Sequence, residues 1–136
     1  YFRSTGKPLY SKSIGPVITP RGSIDAVLSG KADIAPVDSY YHLLLERHEP
    51  ETLAKLKTVA RTEKAPIPLL VAAHGLDKSI VNEIQSVLTR AHESPIASQL
   101  LKQLAIRKFV VPERESYGLA ETWHEEAIKS GYHLPS

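Results

Sequence analysis

The sequence has no cysteine and no methionine, and no apolar run approaches the length of a membrane helix. The lack of cysteine excludes disulfides and also zinc sites that are built on thiolates. A membrane helix needs about 20 mostly apolar residues, so we predict no spanning segment. Because the chain begins at Tyr1 without an initiator methionine, we expect a fragment or processed piece with further sequence upstream.

Charge of either sign is not in large excess, since 17 Lys and Arg face 15 Asp and Glu for a net charge of +2. Such a balance does not indicate a nucleic-acid partner or a polybasic membrane patch. The 136 residues are 42% hydrophobic and 24% charged, which is ordinary for a soluble globular protein. These values predict one domain, or part of a larger one.

Short apolar segments alternate with helical patterns, which predicts an α/β chain with a mostly parallel sheet flanked by helices. The predicted extended segments are residues 16–19, 32–37, 57–61, 69–73 and 108–111. The predicted helices cover residues 20–29, 39–48, 50–56, 77–93, 95–104 and 116–130. In parallel sheets, ligands bind outside the carboxyl ends of the strands, where helices begin. The starts of the first two helices are therefore the places to look for a site.

The first helix start combines an N-cap, a proline and a glycine around one cation. Thr19 is a good N-cap, Pro20 suits the first helical position and Gly22 lets a ligand approach the backbone. Arg21 adds a planar positive group, and Ser23 adds a second hydroxyl beside that of Thr19. A helix start of this kind can hold an anion. The alternative is an ordinary capped surface helix with Arg21 in solvent.

The second helix start is centred on Asp38, which follows a predicted strand. Its carboxylate can cap the helix, or it can accept hydrogen bonds from the donor groups of a ligand. Tyr40 and Tyr41 follow it and are candidates to line a pocket, although Tyr41 has the helical spacing of a core residue. Both interpretations of Asp38 stay open on the residues alone.

The run SIDAVLSGKADIAPVDSY, residues 23–40, resembles a segment of phosphonate- and phosphate-type periplasmic binding proteins. Arg61-Thr62 with the proline-rich 65–68, the long helix from Asp77 and the final Gly131-Tyr132 also follow the order of that family. The resemblance covers most of residues 17–132 and corresponds to the second half of such proteins. It implies a two-lobed type II periplasmic-binding fold. Residues 1–68 would form the end of the second lobe and the crossover, and residues 69–136 a helical part packing on the first lobe.

The resemblance also implies the function, which is that of a solute-binding component of an ABC importer and not of an enzyme. The protein would be periplasmic, or anchored outside the cell by a lipid, and would need no cofactor or metal. Its partners would be a small anionic solute, the transporter permease and the missing N-terminal half of the same protein, and the fragment alone could form homo-oligomers. The resemblance implies a ligand contact for Asp38, and the two helix starts complete the predicted ligand-binding set of Thr19, Arg21, Gly22, Ser23, Asp38, Ser39 and Tyr40.

One departure from the family leaves the identity of the ligand open. Thr19-Pro20 stand about where the family often has a Ser-His pair, so the histidine is missing here. Arg21 nearby is positioned to compensate. The ligand is therefore a phosphonate or phosphate-like anion, another anion, or a compound without phosphorus.

Two other functions use the same fold. A ligand-sensing domain of a transcription regulator would follow a helix-turn-helix, whereas a transport protein would follow a signal peptide or lipobox. A protein of the thiamine-pyrimidine-precursor type would need a catalytic histidine or cysteine in the pocket, and His42 is the nearest candidate. The six histidines lack the convergent spacing of metal ligands. The acidic residues around His48, including Glu49, are predicted to form a solvated loop.

Overall fold

The chain folds into helices that are joined by extended segments. The structure is a computed structural model and describes residues 10–131; Tyr132, the last residue of the family resemblance, lies outside the described residues. The α-helices in this range are α1 (Pro20–Leu28), α2 (Ser39–His48), α3 (Pro50–Leu53), α4 (Lys78–Arg90), α5 (Pro95–Gln103) and α6 (Gly118–Lys129). Two 3-10 helices, Ala91–Glu93 and Arg114–Tyr117, precede α5 and α6.

The start and the end of α1 follow local sequence signals. Thr19 Oγ1 accepts a hydrogen bond from the Gly22 N–H at 3.1 Å, and Pro20 occupies the first helical position. Gly30 lies just beyond the helix with φ of 72°, a conformation that favours glycine because it has no Cβ. The predicted N-cap, first residue and stop of this helix are confirmed.

Helices α2 and α4 also begin at their predicted caps. Asp38 Oδ1 accepts from the Tyr41 N–H at 2.7 Å, and Asp77 Oδ1 accepts from the Ser79 N–H at 2.7 Å. These carboxylates satisfy N–H groups that have no partner within the first turn of a helix. The predicted helix at 77–93 is α-helical to Arg90 and then tightens into a 3-10 turn.

The predicted sheet is not confirmed, because no residue of the described range 10–131 lies in a β-strand. The segments predicted as strands are extended, but no ladder of backbone hydrogen bonds joins them. A strand requires a neighbour that satisfies its N–H and C=O groups. Leu70 and Val71 instead expose 73% and 85% of their surface, so local propensity is present without a partner strand.

The core of the described residues is small. Ile24 in α1, Leu45 in α2 and Leu101 in α5 are buried, at 1%, 3% and 7% exposure. The apolar stripe of α4 has the predicted helical period, but Ile80 and Ile84 remain exposed. On α5 and α6 several residues that were predicted to point inward are also exposed, namely Ile96, Leu100, Leu104 and Ile128. Periodicity therefore fixed which residues share a face, and not whether another element covers that face.

Candidate functional site

The first turn of α1 uses most of its own hydrogen-bonding groups. Pro20 has no N–H, the Gly22 N–H donates to Thr19 Oγ1, and the Ser23 N–H donates to the Thr19 carbonyl at 3.2 Å. The groups that remain for a ligand are the backbone N–H of Arg21 and the hydroxyl of Ser23. A Cβ at position 22 would lie 2.8 Å from Val17 Cγ1. Gly22 is thus required for the approach of Val17, a role the sequence did not indicate.

The guanidinium of Arg21 is held by two carboxylates. Its Nε lies 3.0 Å from Asp25 Oδ1, and its Nη1 lies 2.8 and 2.7 Å from the two oxygens of Glu49. The hydrogen bond to Glu49, then that to Asp25, raises the pKa of Arg21 above its already high value. Arg21 is therefore not the free surface cation of the alternative interpretation, and its charge is balanced inside the chain.

Glu49 is the residue at this place that sequence reasoning missed. It is the C-cap of α2, and its Oε2 also accepts from Thr52 Oγ1 at 3.1 Å. The hydrogen bond from Arg21, followed by that from Thr52, lowers the pKa of Glu49. The Glu49 side chain is 42% exposed, as expected for a solvated loop, but its carboxylate also joins α1 to the α2–α3 junction, a role that was not predicted. A separation of 28 residues left no local pattern by which to find the pair.

The second helix start presents one carboxylate with a partly free acceptor. Asp38 is exposed and uses Oδ1 to cap α2. Within the part of the chain that the structure describes, no hydrogen bond to Asp38 Oδ2 is present. Ser39 is exposed at the first position of α2. Asp38 can therefore cap the helix through one oxygen and accept a ligand donor through the other.

Tyr40 has a partner outside the second helix start. Its hydroxyl donates to the carbonyl oxygen of Leu104, just after α5, at 2.8 Å. Arg47 and His48 on the same helix reach the neighbouring carbonyls of Lys102 and, at 2.9 Å, of Gln103. The last carbonyls of a helix have no partner inside it, and cationic side chains are favourable there. Tyr40 thus belongs to a set of side chains by which α2 holds the end of α5.

The two predicted halves of the site, residues 19–23 and residues 38–40, lie at opposite ends of α2. Asp38 is its N-cap and Glu49 its C-cap, and a rise of 1.5 Å per residue separates them by about 16 Å. Arg21 contacts Glu49, the far end from Asp38. Among residues 10–131, no hydrogen bond or ion pair joins residues 19–23 to residues 38–40. The structure brings Thr19, Gly22 and Ser23 together, and Asp38, Ser39 and Tyr40 together, as two separate groups.

Metal ligands are not grouped in the described part of the chain. No cluster of three or more His, Cys, Asp or Glu residues there could hold a metal ion.

Among residues 10–131, no helix combines the length and the apolar character needed to cross a membrane.

Comparison with known families shows that both helix starts lie within one family match. Residues 11–117 match the model of a family described as the phosphonate periplasmic substrate-binding protein of an ABC transporter. The chain belongs to this family. No match was found among the curated proteins or among the solved structures. The match includes α1 to α5 and both helix starts.

Membership of the phosphonate-binding family confirms the coarse predictions. It implies the periplasmic-binding fold, a solute-binding role, and a transporter permease and a small solute as partners. It also implies a location in the periplasm or outside the cell. Substrate-binding proteins of ABC transporters are generally not enzymes.

Proposed function

We propose that the chain supplies part of a two-lobed protein that closes over a small anionic solute, phosphonate-like or phosphate-like, and delivers it to an ABC importer. The proposal rests on one observation, which is that a single family match spans both helix starts. The proposed contacts are Thr19, Arg21, Gly22, Ser23, Asp38, Ser39 and Tyr40.

Within this proposal, the start of α1 supplies donors. Its positive dipole end, the Arg21 N–H and the Ser23 hydroxyl favour an oxyanion. The Arg21 guanidinium is already bound by the carboxylates of Asp25 and Glu49. It therefore attracts the anion without direct contact, or contacts it after the ion pair with Glu49 has broken. The backbone and hydroxyl groups are therefore the primary contacts, and the guanidinium charge is secondary.

Asp38 restricts the protonation state of the ligand. A carboxylate only accepts hydrogen bonds when it is ionised, and a fully deprotonated anion would be repelled by it. The ligand that fits Asp38 Oδ2 therefore carries at least one O–H or N–H donor beside its negative charge. A monoprotonated phosphonate or phosphate meets this requirement, as does an anion with an amino group.

The large exposed surface supports a second lobe. Within residues 10–131 many large apolar side chains are exposed, whereas the buried hydrophobic residues are Ile24, Leu45 and Leu101. Much of the apolar surface lies on extended segments, among them 67–71 and 110–111. We assign these segments to a sheet that the N-terminal half of the same protein completes, with the division near residue 68. The Tyr117 hydroxyl, which donates to the Ile67 carbonyl at 2.9 Å, would fix the crossover.

Isothermal titration of the full-length protein with methylphosphonate and with inorganic phosphate tests the proposal. Asp38→Asn keeps an N-cap of nearly equal strength but removes the negative acceptor, so we expect at least about a tenfold loss of affinity with little loss of stability. Asp77→Asn makes the same change at the start of α4, outside the proposed site, and should leave affinity unchanged. Equal affinities for the wild type and Asp38→Asn would remove Asp38 from the site.

A further inference from the structure

A shallow depression that is largely open to solvent lies between α2 and the end of α5, and several basic side chains line it. It has a volume of about 500 Å³ and is lined by Leu43, Arg47, Lys102, Ala105, Ile106 and Arg107. We refer to it as the basic pocket. Half of its lining residues are cationic and none is acidic, and its volume falls in the range of small-molecule sites. It shares no residue with the proposed solute site.

The cations of the basic pocket have no carboxylate partners. Among residues 10–131, the salt bridges of basic side chains involve Arg21, Arg90 and Lys129. Arg47 donates to a backbone carbonyl, and Lys102 and Arg107 make no ion pair within the described range. All three side chains are exposed, so solvent screens the repulsion among them, and an anion placed between them is attracted by all three. Arg21, by contrast, is already neutralised by Asp25 and Glu49.

The end of α5 does not account for all three cations. The carbonyls of Lys102, Gln103 and Leu104 accept from Arg47, His48 and Tyr40 respectively. The negative end of the helix, equivalent to about half a charge, is thus compensated by side chains of α2. The charges of Lys102 and Arg107 are therefore not needed to cap α5.

The backbone after α5 turns in a way that forms one wall of the pocket. The Ala105 N–H donates to the Lys102 carbonyl at 3.1 Å and the Ile106 N–H to the Leu101 carbonyl at 2.8 Å. Ala105 adopts φ of 55°, the left-handed conformation that commonly ends helices. The turn brings Ile106 and Arg107 to the same cavity as Leu43 of α2. The pocket therefore has apolar lining beside its cations.

We propose that the basic pocket is a second anion site, which binds a small organic acid. Its carboxylate, phosphate or phosphonate group contacts Lys102 and Arg107, and its apolar part lies on Leu43 and Ile106. Arg47 contributes charge while its guanidinium stays bound to the end of α5. Because the lining is partly apolar, an anion with a hydrocarbon group binds more tightly than inorganic phosphate. The site is independent of Asp38.

Phenylphosphonate and inorganic phosphate serve as probes for the full-length protein, with binding followed by the amide NMR signals of residues 105–107 and by titration calorimetry. The double change Lys102→Gln, Arg107→Gln removes two charges and keeps shorter polar side chains in their place. We expect it to weaken phenylphosphonate binding at least about tenfold and to abolish the amide shifts. Lys55→Gln, Lys57→Gln removes two exposed charges elsewhere and should change affinity by less than about twofold.

The outcomes separate the basic pocket from the proposed solute site. Asp38→Asn should leave the shifts of residues 105–107 intact, even if it abolishes solute binding. The inference is overturned if phenylphosphonate shifts the amide signals of residues 105–107 in the pocket variant as it does in the wild type, or if the Lys55, Lys57 control loses those shifts to the same extent. It is also overturned if inorganic phosphate shifts the amide signals of residues 105–107 at least as strongly as phenylphosphonate does. Thermal unfolding of each variant verifies that the fold is retained.

Discussion

The Arg21 guanidinium lies 2.7 and 2.8 Å from the two carboxylate oxygens of Glu49. This pair joins the first turn of α1 to the C-cap of α2, 28 residues later in the chain. Asp25 and Thr52 extend it into a network of four side chains. A residue that resembles a ligand contact in sequence thus also has a structural role, and its variants will affect both properties.

Replacement of Glu49 by Gln should flatten the dependence of stability on acidic pH. The Arg21 hydrogen bond holds the pKa of Glu49 below its ordinary value of 4.5. Its contribution is therefore fully present above that value and is lost as the pH falls through the lower, folded pKa. Urea unfolding from about pH 6 to about pH 3 should show a smaller loss for Glu49→Gln than for the wild type.

Asp77 gives the matched comparison for this pH series. Its pKa is lowered by hydrogen bonds from the Ser79 side chain and then from the Ser79 backbone, and it has no contact with Arg21. The stability of Glu49→Gln should therefore still fall at acidic pH to the extent that Asp77 contributes. The double variant Glu49→Gln, Asp77→Asn should lose the contributions of both carboxylates. Indistinguishable pH profiles of the wild type and Glu49→Gln would show that the ion pair does not persist in solution.

Truncation of Ile24 to alanine should be strongly destabilising. Ile24 is the most buried of the core residues, at 1% exposure, and loss of a buried isoleucine side chain costs about 2–5 kcal/mol. Ile18→Ala is the control, since Ile18 is 92% exposed and surface changes stay within about 0.5 kcal/mol. Chemical denaturation measures both, and equal effects would contradict the assignment of Ile24 to the core.

Replacement of Thr19 by alanine should weaken the start of α1. Removal of its hydroxyl leaves the Gly22 N–H without its acceptor, and loss of an N-cap costs about 1 kcal/mol. Thr19→Ser keeps an N-cap oxygen and should restore most of the stability. If both variants unfold at the same denaturant concentration as the wild type, the capping hydrogen bond contributes nothing measurable.

Replacement of Tyr40 by phenylalanine tests the hydrogen bond between α2 and the end of α5. The change removes the donor to the Leu104 carbonyl and should cost about 0.5–1.5 kcal/mol. Tyr41→Phe is the control, because its hydroxyl makes no hydrogen bond within residues 10–131. An unfolding free energy that falls equally in both variants would argue against a specific role for Tyr40. A loss of solute affinity without loss of stability would instead favour the ligand contact.

The two predicted helix starts show how far local reasoning extends. Thr19 and Asp38 are recognisable as N-caps because capping depends on a residue and the N–H groups two or three positions later. The same reasoning placed Arg21 and Tyr40 in a ligand site, although their side chains contact Glu49 and Leu104. Those partners are 28 and 64 residues away, and no spacing rule connects residues at such distances.

The sequence by itself determined where the helices lie, the caps of α1, α2 and α4, and the family, because capping, periodicity and the residue order around Asp38 are local properties of the chain. Only the tertiary structure decided which charges are neutralised, since Arg21 is paired while Lys102 and Arg107 are not. The predicted sheet of the apolar segments at 57–61, 69–73 and 108–111 is not confirmed, since these segments carry no strand in the part of the chain that the structure describes. A helix satisfies its hydrogen bonds within one segment, whereas a strand or an ion pair depends on a second segment brought alongside it.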